Sequence, residues 1–88
     1  MAAITKETRK FLSSVDGAGS WWDERFSPGK IVPVSGIYRC IECEKEIASN
    51  KNDPFPPQNH HQHPKKKEIS WQLVIRADTK NQWSKNAI

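Results

Sequence analysis

No apolar run in this chain approaches the roughly 20 residues needed to cross a bilayer, and the pair Ile31-Val32 is cut off at once by Pro33. A spanning segment is therefore not expected, and neither is a secretory leader, because Met1 to Lys10 carries charge from Lys6 onward and has no apolar stretch. The expected compartment is the cytoplasm, without membrane association. Aliphatic side chains are scarce as well. Only 35% of the 88 residues are hydrophobic, but they include four Trp and three Phe, so aromatic rings must carry much of the core. So small a domain buries a modest share of its surface and gains from a staple. With two cysteines and a reducing compartment, that staple is not expected to be a disulfide. Carboxylates at a catalytic spacing are also missing. Asp23 and Glu24 are neighbours without a partner acid and read as surface charge, and nothing singles out Glu42 or Glu46 as a general base.

Chemistry is concentrated between residues 40 and 63. Both cysteines lie in Cys40-Ile41-Glu42-Cys43 and all three histidines in His60-His61-Gln62-His63, with sixteen residues separating Cys43 from His60. That span suits two ligand pairs that face one another. Two residues between cysteines let both sulfurs converge on one zinc ion at about 2.3 Å. His60 and His63 share the same spacing and form the most economical second pair, with His61 as an alternative ligand. Zinc is thus the expected cofactor, held by Cys40, Cys43, His60 and His63. Glu44 departs from the usual pattern, since Gly commonly follows the second Cys of a knuckle and takes a left-handed conformation there. Two other readings of the cysteines stand beside zinc: small buried apolar side chains, and a redox dithiol.

Along the chain, Ile4, Phe11, Leu12 and Val15 recur at helical spacing, with Lys6, Glu7, Arg9 and Lys10 elsewhere on the cylinder and Thr5 placed to cap the start. An amphipathic helix over Ile4 to Val15 is expected, stopped by Asp16-Gly17-Ala18-Gly19-Ser20. Trp21-Trp22 is expected to turn one ring to the core and the other to a neighbouring surface. Turns at Ser27-Pro28-Gly29 and Ser35-Gly36 flank an extended Lys30 to Val34, which Pro33 confines to an edge or an irregular lead-in. Ile37 to Cys40 favours a strand, Glu44 to Ile47 its hairpin partner, and the Pro54-Phe55-Pro56-Pro57 segment presses Phe55 inward. The clearest strand is Glu68 to Asp78, in which Ile69, Trp71, Leu73 and Ile75 alternate with Ser70, Gln72, Val74 and Arg76. It is expected to pair with the Tyr38 segment and lay Trp71 over the core. Trp83 is a candidate to dock from an otherwise aperiodic end. The sum is a small α+β protein, mainly β: an N-terminal amphipathic helix and turn over 1–20, a zinc-ribbon-like antiparallel sheet of about three strands over 21–78, and a flexible tail over 79–88.

Pro28-Gly29, Pro33, Ser35-Gly36, Tyr38, Cys40, Cys43, Phe55-Pro56-Pro57, the histidines His60, His61 and His63, and Trp71 form an ordered series. In this the chain resembles small bacterial proteins with a PG…P-x-SG-x-Y-x-C-x-x-C…FPP…W pattern, the YjzC-like small proteins that share it without the cysteines, and more distantly the zinc-ribbon domains. The resemblance covers about half the chain and implies no activity. In zinc ribbons a second Cys-x-x-Cys often follows FPP, and would fall here on Gln58 and His61. Gln58 is no ordinary zinc ligand, so only the histidines complete a site.

The function these features favour is a small zinc-stabilised binding or adaptor module without catalytic activity, monomeric, with a protein or a nucleic acid as partner. A net charge of +4 keeps nucleic acid in view, with Lys65, Lys66, Lys67 and Arg76 as its contact residues and Trp71 as a stacking surface. A thiol redox protein is the less favoured alternative, because its dithiol would open a helix and none is evident after Cys43.

Overall fold

The computed structural model describes residues 1–15, 20–56 and 69–80. It is mainly β, with one three-stranded antiparallel sheet and little helix. Strands β1 (Gly36–Cys40), β2 (Glu46–Ser49) and β3 (Trp71–Arg76) lie in the order β2-β1-β3. The hairpin follows from β1 and β2 being joined by the short cysteine turn, and β3 enters on the free side of β1.

Alternation along β1 and β3 gives the sheet one apolar face. Tyr38, Cys40, Trp71 and Leu73 are buried, and Ile47 of β2 packs against the same cluster. The expected pairing of the Trp71 strand with the Tyr38 segment holds, with Tyr38 opposite Leu73 and Cys40 opposite Trp71. One detail differs. Between Ile37 and Tyr38 the partners on β3 jump from Ile75 to Leu73, a bulge that leaves Val74 without a cross-strand partner on β1. One extra residue inverts the alternation, so Ile75 leaves the Trp71 face and pairs with Ile37 on the opposite one.

The chain before β1 closes the apolar face. Phe26 bridges to Trp71 through two reciprocal N–H···O=C bonds of 2.9 Å, extending the sheet by one pair. Lys30 to Val32 then runs antiparallel to Asn52 to Phe55: Phe55 N–H donates to the Lys30 carbonyl at 2.8 Å and Val32 N–H to the Asp53 carbonyl at 2.8 Å. Gly29 turns the chain with φ of 85°, a conformation glycine adopts at little steric cost. Phe55 is thereby driven inward, as expected. Its ring stacks on Phe26 at 5.2 Å between centroids and meets Tyr38 edge-on at 4.9 Å. Val32, Val34 and Ile69 complete the core. Tyr38 keeps its polar end satisfied in this setting by donating from Oη to the Val34 carbonyl at 2.6 Å.

Two expectations before residue 26 are corrected. In place of an amphipathic helix over Ile4 to Val15 there is a 3-10 turn of four residues, Thr8–Phe11, after which Leu12 is extended with ψ of 146°. The start signal is nonetheless met. Thr5 Oγ1 accepts from Thr8 N–H at 3.0 Å while Thr5 N–H donates to Thr8 Oγ1 at 2.8 Å, a reciprocal capping box. The helix stops because Ile4 and Phe11 meet no surface; both are exposed, and a short helix without a docked face is not stable in water. Trp21 and Trp22 lie in a 3-10 turn, Ser20–Trp22, not a strand, so both rings pack half-buried against the core. The Asp16-to-Gly19 stop, Trp83 and the C-terminal tail from residue 81 lie outside the described residues. Among the described residues no helix is long and apolar enough to cross a membrane.

Candidate metal centre

Cys40 ends β1, and residues 41–43 make the turn that returns the chain toward β2. Two bonds close this knuckle at its base: Cys40 N–H donates to the Lys45 carbonyl at 2.8 Å, and Glu44 N–H donates to the Cys40 carbonyl at 2.8 Å. A third ties it to β3, from Ile41 N–H to the Ser70 carbonyl at 3.0 Å. Both cysteines are free of disulfide; Cys40 is fully buried and Cys43 half-buried.

The electrostatics of the pair are lopsided. Burial pushes the Cys40 thiol up, but N–H groups of Cys43, Ser70 and Glu42 and the thiol of Cys43 all point at its sulfur, and their sum brings it down to about 7. Burial pushes Cys43 up too. The Lys45 N–H opposes this, but the hydrogen bond and charge of Cys40 add to it, and Cys43 stays above the ordinary thiol range. Ionising one sulfur therefore makes ionising its neighbour harder. A divalent cation between them would favour the ionised form of both.

Glu44 supplies the remaining piece of the knuckle. Although it is not glycine, its φ is 66°, the left-handed conformation that lets the amides after each cysteine turn toward sulfur. Its side chain pairs with Arg39 at 3.2 Å, but both groups are too exposed for that contact to explain the conformation. Sequence reasoning took Glu44 as a departure from the knuckle pattern; the backbone adopts the pattern regardless.

The other expected site residues are less directly placed. His60, His61 and His63 lie outside the described residues, as do Lys65, Lys66 and Lys67. Among the described residues no group of three or more His, Cys, Asp or Glu gathers to hold a metal ion. Arg76 is half-buried at the end of β3, with its guanidinium 5.2 Å from the centre of the Trp21 ring. Trp71 is wholly buried and belongs to the core, which takes it out of contention as a stacking surface. Sequence reasoning missed the role of Ser70, whose backbone touches the knuckle on two sides. Only the pairing of Cys40 opposite Trp71, one residue along, signals it.

No protein-family model and no solved structure matches the chain. A relative does: Protein L of Escherichia coli is 62% identical over 80 residues, a match covering 91% of this chain and 92% of the relative. The chain therefore belongs to the family of Escherichia coli Protein L.

Proposed function

We propose that the protein is a small zinc-stabilised binding module, with Cys40 and Cys43 as two ligands and His60 with His63, or His61 in place of one, as the others. The observation that carries this is the cradle of backbone N–H groups around the two sulfurs, closed by a left-handed Glu44. Such a cradle stabilises thiolates that ligate a metal. Zinc would supply the charge that ionises both cysteines and would tie the histidine segment to the sheet. Four protein ligands leave no open position for water or substrate, which accords with a binding role and not a catalytic one. The chain after Cys43 runs into β2, so neither thiol sits at the helix N-terminus that redox dithiols use.

A protein partner is favoured over nucleic acid because the knuckle offers phosphate no excess of positive charge: Arg39 and Lys45 are matched by Glu42 and Glu44. A nucleic-acid-binding zinc ribbon is the alternative; the net charge of +4 and Lys65 to Lys67 support it. The cytoplasm, where thiolates stay reduced, is the compartment that fits the site.

Native mass spectrometry of untagged protein tests the metal. One zinc per chain is expected, lost from a Cys40→Ser/Cys43→Ser variant. Metal-free protein purified from zinc-supplemented cells would overturn the proposal, as would zinc that stays bound in the variant.

A further inference from the structure

We propose that residues Ile4 to Phe11 form an interfacial arm that docks on an anionic lipid surface and completes its helix there. The large apolar side chains exposed among the described residues are Met1, Ile4, Phe11, Ile31 and Val74, so three of them fall in the first eleven positions. Phe11 is 74% exposed, although the core of this protein is built on aromatic rings. The same segment carries Lys6, Arg9 and Lys10, all exposed, with the Lys10 ammonium over the Phe11 ring at 5.2 Å.

The arm is poised to become helical. Its capping box between Thr5 and Thr8 is already closed, and Arg9 N–H already reaches back to the Thr5 carbonyl at 3.1 Å, the first α-type bond. Nucleation is the costly step of helix formation, and here it is complete; what is absent is a surface for the apolar side. Continued at about 100° per residue, the turn sets Ile4 and Phe11 on one stripe, flanked by Glu7 and Thr8, with Lys6 and Arg9 on the opposite side and Lys10 on the flank between. An apolar stripe with a cationic polar face is the pattern of helices that lie in a bilayer interface, where acyl chains cover the stripe and lipid headgroups attract the cations. Nucleic acid would satisfy the cations but leave Ile4 and Phe11 in water. Among the described residues no helix is long and apolar enough to cross a bilayer, which leaves binding at its surface open.

The test uses the full chain and two kinds of vesicle, phosphatidylglycerol mixed with phosphatidylcholine, and phosphatidylcholine alone. Co-sedimentation with the anionic vesicles is expected, accompanied by a gain in helical circular dichroism. Phe11→Ser should lower partitioning about tenfold, and Lys6→Gln/Arg9→Gln/Lys10→Gln should abolish the preference for anionic lipid. These positions are exposed, so unchanged tryptophan emission in solution confirms that the variants remain folded. No partitioning, equal partitioning to both vesicles, or partitioning that ignores the variants overturns the proposal. So does arm-dependent binding to a single-stranded oligonucleotide without vesicle binding. The Cys40→Ser/Cys43→Ser variant should keep lipid binding, which separates this proposal from the zinc site.

Discussion

Gly36 shows how little freedom single positions in this frame retain. A Cβ built on Gly36 would collide with the Ile75 carbonyl oxygen and lie 3.1 Å from the Arg76 Cα. Both obstacles are backbone and cannot swing aside, so Gly36→Ala should cost about 2–4 kcal/mol in a denaturation experiment. A cost near zero would show that the bulge at Val74 relaxes easily. Gly29, Tyr38, Phe55 and Trp71 have the same character. Gly29 turns the chain, Tyr38 bonds the Val34 carbonyl, Phe55 stacks on Phe26, and Trp71 is buried beside them. Each of them is spent on the fold. None of these contacts needs a metal.

At the level of elements, the strands and the Gly29 turn were legible, and the bulge and the first helix were not. Alternation identified β3, because one buried face imposes a period of two; β-favouring residues marked β1, the return after the knuckle marked β2 two residues early, and the stiff proline segment marked the inward Phe55. The bulge escaped, since Leu73, Val74 and Ile75 are all apolar and mark no break. The first helix was over-read: its spacing and its cap are real, but spacing cannot say whether a surface exists to receive the stripe. The knuckle was recognisable from two cysteines, whereas its left-handed Glu44 was not, because that conformation is imposed by the bonds on either side. Glu44→Gly should accordingly relieve backbone strain and raise stability by about 1 kcal/mol, read as a higher urea midpoint. A lower midpoint would mean that the Arg39 contact outweighs the backbone.

For the whole molecule, alkaline pH gives a clean probe because the chain has a single tyrosine. Burial pushes the Tyr38 phenol above its ordinary value, with the Arg76 charge drawing it partly back. The folded state therefore holds its proton more tightly than the unfolded chain. The resulting stabilisation is fully present below about pH 10, and it is lost as pH rises through the folded value. Tyrosinate absorbance should rise later in native protein than in denaturant, and Tyr38→Phe should flatten the alkaline loss while costing about 1–3 kcal/mol for the orphaned Val34 carbonyl. Coincident titrations in both states would show that the ring is open to solvent.

Phe55 and Ile69 are 1% and 2% exposed, and they stand at either end of the segment that contains the histidines and the lysine run. Both flanking side chains are thus anchored in the core. The two ends of the chemistry-bearing segment meet the sheet's core at two buried side chains, so a cavity cut at Phe55 or Ile69 would be felt by the fold and by that segment together.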